Sequence, residues 1–490
     1  MKVLKNIAIG LVALVSLFSC SKDYLDTEYT TYLGQEEAAA AAGQNPDVFL
    51  NGMWSWMVRY EGDHDRYGIY TIFMCTQTMG EDIAFQTASW YQFDYQLDYR
   101  EAQWVRTSSF WTNLYTLIAK ANEVISLYPD GGQTAGEKAL LGQAYAIRGM
   151  SYYYLVQIYQ DYLNEDGTIK TDAPAIPIIY NATDGKTEAQ MDSAMGRNTV
   201  GKVLELTQSD LENAVKQLSG ADYTRPSKNY IDLSVAQGLL ARYYLLTQQW
   251  QKAADTANAA RKGYKIMGNE ELHQGFNSVS NSEWMWGFQH NTETATSYAS
   301  LFSHLATAGP GYGASYPFLI DARLYSLIPE SDYRKTLFNG PDGDPTQSTP
   351  GAKKPYANQK FLYNTDWLCD YVYMRASEMI LIEAEAYAHL SQNDKAAQVL
   401  KELMVNRQPD WNKVLVTVED VYLQRRIELW GEGFTYFDLK RLNKGINRNY
   451  EGTNHLYKLE VPAHDVLWTF QLPRTELQEN SHIQASEQNP

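Results

Sequence analysis

Apolar residues recur along this chain at three-, four- and seven-residue steps, and those steps lay out a series of amphipathic helices. Trp104, Trp111, Leu114, Ile118 and Ile125 form one such stripe, the spacing of one face of a 3.6-residue helix. Pro129-Asp130-Gly131-Gly132 ends it. Thr134-Ala135-Gly136-Glu137 then reads as a capping box. The next apolar face runs through Leu140, Leu141, Ala144, Ile147, Ser151, Leu155, Ile158 and Tyr162. Two such helices joined by a short turn predict an antiparallel hairpin. Upstream, an alanine run followed by Phe49, Leu50, Met53, Trp54 and Met57 predicts a helix within 36–59, broken or begun at Pro46. Further helices are predicted near 199–218, 232–247 and 250–262, with 163–198 a polar connector carrying Pro174 and Pro177.

Strand patterns are scarce. Residues 60–100 and 270–370 show little helical period and are rich in rings, glycine and aspartate or proline. Long loops in a compact protein are usually functional or disordered, and these are too aromatic for simple disorder. Trp284-Met285-Trp286 suggests a short strand with one of its tryptophans in the core.

An internal repeat is legible by eye. The segment from Ala241 to Ala254 (ARYYLLTQQWQKAA) aligns without gaps on Ala384 to Ala397 (AEAYAHLSQNDKAA). Each has a small-residue-rich helix, a Tyr, a polar turn with Gln, and Lys-Ala-Ala opening a second helix. This is the tetratricopeptide pattern, in which small residues let paired helices approach closely. Copies this far apart predict interrupted repeats in place of a continuous solenoid. The predicted fold class is therefore mostly α, with tetratricopeptide-like helix pairs carrying an inserted irregular, loop-rich subdomain.

The N-terminus adds a processing signal. Lys2 and Lys5 precede an apolar run from Ile7 to Phe18, which is too short to span a bilayer, and Leu17-Phe18-Ser19 leads directly into Cys20. Residues 1–19 are read as a signal peptide, Cys20 as the lipidated first residue and 20–34 as a tether, with 35–490 as one domain or, by length alone, two to three. Acyl chains on one cysteine make a stable anchor, at about 0.8 kcal/mol per buried methylene. No other stretch is long and apolar enough to be a transmembrane helix.

Charge narrows the partners. The formal net charge is −17, and removing Lys2 and Lys5 with the signal takes off two positive charges more. An acidic chain without a basic block is a poor nucleic-acid binder. Of three cysteines, Cys20 is committed to lipid. Cys75 and Cys369 are read as buried free thiols, although spacing leaves a pairing open. The 37 tyrosines and 12 tryptophans suit stacking on sugar rings, since Tyr and Trp offer a flat apolar face with a polar handle.

Several segments in order resemble one family. They are Cys20-Ser-Lys-Asp-Tyr-Leu-Asp26, Gly142-Gln-Ala-Tyr-Ala-Ile-Arg148 with Tyr152-Tyr-Tyr-Leu-Val156, Ala175-Ile-Pro-Ile178, and residues 200–218 with Asp210-Leu211. After the 241–254 segment come Gln424-Arg-Arg-Ile-Glu-Leu-Trp-Gly-Glu-Gly-Phe-Thr-Tyr-Phe-Asp-Leu-Lys-Arg441 and Gln471-Leu-Pro-Arg-Thr-Glu476 with Asn480. Together they resemble the SusD/RagB family of outer-membrane nutrient-binding lipoproteins. The resemblance implies a scaffold of about four tetratricopeptide-like helix pairs. It also implies a glycan ligand, or a peptide in some members, and a TonB-dependent outer-membrane transporter of the SusC type as partner. The implied location is the outer membrane, lipid-anchored and facing outward.

No motif points to catalysis. There is no P-loop, H-E-x-x-H, G-x-S-x-G or C-x-x-C pattern. Asp63-His-Asp-Arg-Tyr-Gly68 echoes the start of a calcium loop, but its twelfth position is Met74. Asp342-Gly-Asp344 reads as a turn, and no metal or cofactor is expected. The charged 424–441 segment is read as structural: Arg425 and Glu428 are spaced to pair on a helix, and Gly431 and Gly433 permit a bend or close approach. The expected function is non-enzymatic glycan capture. Peptide binding on the same fold and a purely protein-binding scaffold are the alternatives. Candidate ligand residues come from the irregular segments: Trp90, Tyr91, Tyr95, Tyr298, Tyr312 and Tyr316 as stacking rings, and Asp65, Arg66 and Asn291 as hydrogen-bonding groups.

Overall fold

The structure is a computed structural model that describes residues 40–42, 45–294 and 298–490. The signal segment, Cys20 and the tether lie outside the described residues. Helix α1 (Pro46–Met57) places its proline in the first turn, where the missing N–H costs nothing. A hairpin of β1 (Tyr60–Asp63) and β2 (Arg66–Tyr67) follows, then α2 (Ile69–Thr78) and β3 (Ile83–Ala84). Helix α2 falls inside a stretch expected to be irregular. All ten of its residues are buried, so it has no solvent face and shows no amphipathic period.

A single turn, α3 (Gln92–Tyr95), leads into α4 (Val105–Ser126) and α5 (Ala135–Ile158). The capping box forms as expected: the Thr134 hydroxyl accepts from the Glu137 N–H at 3.2 Å, and the Glu137 carboxylate accepts from the Thr134 N–H at 2.9 Å. Helices α6 (Val200–Ser219), α7 (Leu233–Leu246) and α8 (Trp250–Ala260) complete the first half. Side-chain oxygens of Thr199 and Asp232 cap α6 and α7. Residues 261–375 form the irregular insertion, with β4 (Trp284–Phe288), β5 (Leu319–Ile320) and β6 (Tyr371–Arg375). The scaffold resumes with α9 (Ala376–His389), α10 (Asn393–Met404), α11 (Val418–Glu428) and α12 (Thr435–Arg441).

Chain neighbours are spatial neighbours: α4 packs on α5, α5 on α6, α6 on α7, α7 on α8, α8 on α9, and both α10 and α11 on α9. The repeat holds down to its turns. Gln248 and Ser391, at equivalent positions, both adopt left-handed backbone, with φ of 60° each. The Gln249 and Gln392 N–H groups donate to the Tyr244 and Tyr387 carbonyls, each at 2.9 Å. Lys252 and Lys395 donate to the Gln249 and Gln392 side chains at 2.8 and 2.6 Å. The matched Tyr, Gln and Lys therefore build the same helix–turn–helix twice.

Antiparallel pairs stitch the irregular regions together. Strand β4 pairs with β6, and β3 pairs with β5 through Ile83–Ile320 and Ala84–Leu319. The second pairing docks the 60–100 segment onto the insertion. Strand β4 is buried along its whole length, so both Trp284 and Trp286 are core, where one was expected to be. Cys75 and Cys369 are separate, buried free thiols.

A buried charge cluster staples the insertion to the scaffold. Arg334, Lys360, Arg375 and Arg407 interlock with Glu283, Asp332, Glu428 and Glu432. The four positive and four negative groups balance, and every one of these side chains is at most 4% exposed in its ion pairs. Glu428 alone accepts from Arg334, Arg375 and Arg407 at 2.9–3.2 Å. Those cations hold its carboxyl well below the usual carboxylate range despite the burial that opposes them. This corrects the expected Arg425–Glu428 pair. Arg425 turns instead to Asp438, at 3.1 Å, because tertiary partners outbid the local one. Gly431 (φ 80°) and Gly433 (φ 90°) bend the segment between them. A Cβ on Gly433 would sit 2.5 Å from that of Phe73, so the close approach expected there is real.

Candidate functional site

The β1–β2 hairpin, the loop before α3 and the insertion converge on one surface. At the hairpin tip, His64 stacks face-to-face on Trp90, with centroids 5.2 Å apart and planes 5° from parallel. Tyr312 stands edge-on to both, at 5.7 and 5.8 Å. Tyr298 follows 5.8 Å from Tyr312, and Trp367 lies 6.0 Å from Tyr298. Trp90 is 40% and Tyr298 51% exposed, and Trp367 is half-buried. The result is a strip of rings, Trp90–Tyr312–Tyr298–Trp367, open to solvent.

Polar groups behind the strip hold it in place. The His304 Nε2–H donates to the His64 carbonyl at 2.9 Å, and the Tyr312 hydroxyl lies 2.7 Å from His64 Nδ1. The His304 ring also stacks under Tyr312, at 5.0 Å. Burial pushes the His304 pKa down to about 4, so near neutral pH it is an uncharged donor. Deeper still, Arg106 bridges Asp94 at 2.8 Å and Asp65 at 2.5 Å. At the far end, Asp366 and Trp367 both have left-handed backbone, with φ of 61° and 59°. Two adjacent non-glycine residues held there mark strain that the surroundings must enforce, a recurrent feature of binding surfaces.

The expected site residues thus separate into groups. Trp90, Tyr298 and Tyr312 are brought together on the strip. Tyr316 is 42% exposed, but its ring joins no aromatic pair of the strip. Tyr91 and Tyr95 are corrected: both are fully buried. Tyr91 shares a 2.5 Å hydrogen bond with Tyr67, and Tyr95 bonds His455 and stacks on Phe85. They brace the loop from below, because the short α3 alternates its rings between core and solvent. Asp65 is also inward, spent on Arg106. Arg66 is half-buried and paired with Asp63 at 2.9 Å. Asn291 is exposed and caps its own turn through the Glu293 and Thr294 N–H groups. Sequence reasoning missed His64 and Trp367. A tryptophan inside the 270–370 stretch was the available signal for Trp367; nothing local marks His64.

Among the described residues no cluster of His, Cys, Asp or Glu suited to a metal ion occurs. No described helix is long and apolar enough to cross a membrane. A small internal cavity lined by Tyr154, Arg242, Tyr373, Arg425 and Phe434 is the size of a water and admits no sugar.

Known proteins fit this arrangement. Residues 23–245 match a SusD-like family described as starch-binding and associating with the outer membrane, and residues 339–490 match the SusD family itself. The chain belongs to the SusD/RagB family. Among relatives, SusD-like protein P2 of Formosa agariphila is 24% identical over 387 residues, 69% of this chain and 72% of that protein. A SusD-like carbohydrate binding protein from Bacteroides vulgatus superposes with a TM-score of 0.76 at 25% identity, covering 91% of this chain and 98% of the other. A laminarin-binding SusD-like protein shares the fold at 18% identity, with a TM-score of 0.66 over 93% of this chain and 99% of that one. The SusD/RagB scaffold is thus the helix-pair stack described above, and the ring strip sits where its insertion meets the 60–100 segment.

Proposed function

We propose that the protein captures a neutral glycan outside the cell and delivers it to a TonB-dependent outer-membrane transporter, held to the membrane by lipid on Cys20. The observation that carries this reading is the strip itself: rings from three separated segments are assembled side by side, exposed and braced. Sugar rings present apolar C–H faces that stack on such surfaces, while their hydroxyls bond to polar groups at the rim. The relatives support the ligand class, since one is a carbohydrate binding protein and another binds laminarin. The neighbouring Arg66 is paired with Asp63 and Asp366 is exposed, which disfavours a sulfated or uronic polymer. The strip binds and presents; it does not catalyse.

Affinity electrophoresis and calorimetry of the mature chain, begun just after Cys20, against a panel of neutral and anionic polysaccharides test this. Retardation by a neutral class, lost when Trp90, Tyr298 and Trp367 are all changed to alanine, is the expected outcome. Binding unchanged in that triple variant overturns the site, and binding only to peptides overturns the ligand class.

A further inference from the structure

A second set of exposed rings lies on α3 and in the segment that follows it. Phe93 is 38%, Trp104 41% and the adjoining Val105 51% exposed, and Tyr99 is half-buried between the two rings. Phe93 and Tyr99 have centroids 4.7 Å apart with planes at 32°, and Tyr99 and Trp104 are 5.1 Å apart at 43°. The three therefore form a continuous tilted run. Leu97 between them is held in left-handed backbone, with φ of 61°. This bend brings Phe93 and Tyr99 together, and the Asp98 N–H closes it on the Phe93 carbonyl at 2.9 Å. For a leucine that conformation is uncommon and must be enforced by its surroundings.

This run shares its foundation with the first strip. The Arg106 guanidinium lies 5.8 Å from the Tyr91 ring and 5.9 Å from the Tyr99 ring, with Asp94 and Asp65 neutralising it. Tyr91 directly follows Trp90 of the strip, so one buried ion triple braces both sets of rings. The same segment carries Gln92, Gln96 and Gln103 and the exposed acids Asp98 and Glu101; the Gln96 amide donates to the Gln92 carbonyl at 3.1 Å and the Gln103 amide to the Glu101 carboxylate. Arg100 is turned toward the Pro490 carbonyl, at 2.8 Å. Amides and carboxylates beside flat rings suit the hydroxyls of an uncharged sugar and repel sulfate or uronate.

We infer that Phe93, Tyr99 and Trp104 form a second stacking surface for neutral glycan, engaged by chains long enough to reach it from the Trp90 strip. The inference rests on the glycan reading of that strip. Two linked weak surfaces raise the affinity for a long chain without a new contact at the first. Short oligosaccharides occupy the strip alone, and polysaccharide occupies both.

The test compares a trisaccharide with the polysaccharide of whichever neutral class (laminarin, starch, xylan or galactomannan) retards the mature wild-type chain. The readout is the ratio of the two affinities. Phe93→Ala/Trp104→Ala removes two exposed rings and is expected to lower that ratio about tenfold, with Trp104→Phe restoring most of it. Trp90→Ala/Trp367→Ala is expected to weaken both ligands together and leave the ratio near its wild-type value. An unchanged ratio in Phe93→Ala/Trp104→Ala overturns the second surface while the first site stands. An unchanged ratio together with lost co-purification of an outer-membrane protein reassigns the rings to protein docking and also overturns it. Unchanged binding in the Trp90 variant with both ligands lost in the other removes the first site and leaves these rings as the sole glycan surface, which overturns the two-surface reading. Failure of every neutral polysaccharide to bind the wild type overturns both.

Discussion

Glu428→Gln removes one charge from a cluster that is otherwise balanced. Both oxygens of this carboxylate are occupied, accepting from Arg407 at 2.9 Å twice, from Arg375 at 3.1 Å and from Arg334 at 3.2 Å. Glutamine keeps the shape, but its NH2 faces guanidinium donors and the cluster is left with one positive charge in excess. Breaking a buried pair from one side costs about 3–5 kcal/mol. A chain of this length has an unfolding entropy of roughly 1 kcal/mol per degree, so the expected loss in Tm is about 3–5 °C by calorimetry. Because Arg334 and Lys360 belong to the insertion while Arg407 and Glu428 belong to the scaffold, hydrogen exchange should quicken around 332–338 and 358–361 before it does in α5. A second change, Arg407→Met, restores the charge count, and the double variant should be less destabilised than the sum of the singles by about 1 kcal/mol or more. A Glu428→Gln protein melting within 1 °C of wild type, or additive singles, refutes the claim that this cluster holds the insertion on.

Other expectations follow from single features. His290 and His304 are pushed by burial to a pKa of about 4 from the ordinary 6.5, so the folded state favours their neutral form. The stability they contribute is complete above pH 6.5 and is lost as pH falls from 6.5 toward 4, by at most about 3 kcal/mol each. Asp82, raised by burial to about 6, acts in the opposite sense over much of that window, so the informative comparison is between wild type and variants. His304→Gln and His290→Gln should each flatten the fall in denaturation midpoint between pH 6.5 and 4, and parallel profiles count against the assignment. Since His304 carries Tyr312 and the His64 carbonyl, glycan affinity should also decline below about pH 5 in wild type. Gly433→Ala forces a Cβ against Phe73 at a φ of 90° and should destabilise by about 2–5 kcal/mol. Gly452→Ala has a φ of 80° but open space around it, and should lose only about 1–2 kcal/mol, for backbone strain alone. Equal losses in urea denaturation would show that the Phe73 contact yields. Trp367→Ala should weaken glycan binding with little change in Tm, and a large Tm loss would mark the residue as core.

Much of the scaffold was legible before any coordinate. The stripe from Trp111 to Ile125, the Thr134–Glu137 cap and the 241–254 and 384–397 repeat are local patterns, whereas Trp104, read into the same stripe, stands 41% exposed just before α4. Their physics acts within four or five residues, through helix period, a side chain reaching a nearby N–H, or a turn closed by a backbone bond. The left-handed Gln248 and Ser391 show how far such local encoding extends. Helix α2 escaped because a helix buried on every side has no period to read.

The site was only partly legible, for a different reason. Rings in irregular segments were the only signal for ligand candidates, and of those named Trp90, Tyr298 and Tyr312 are the ones the fold brings side by side. Which rings of those loops face water depends on what packs beneath them, and that is decided by the β3–β5 pairing and the Asp65–Arg106–Asp94 bridge between distant segments. Tyr91 and Tyr95 point inward because the core needs them there, while His64 and Trp367 join the strip because a hairpin tip and a strained turn happen to reach it. The same holds for Arg425 and Glu428, whose helical spacing offered each to the other. The sequence by itself determined the helix-pair scaffold, through forces that act along the chain. The tertiary structure alone decided which side chains were left for a ligand, because exposure is a property of the packed assembly.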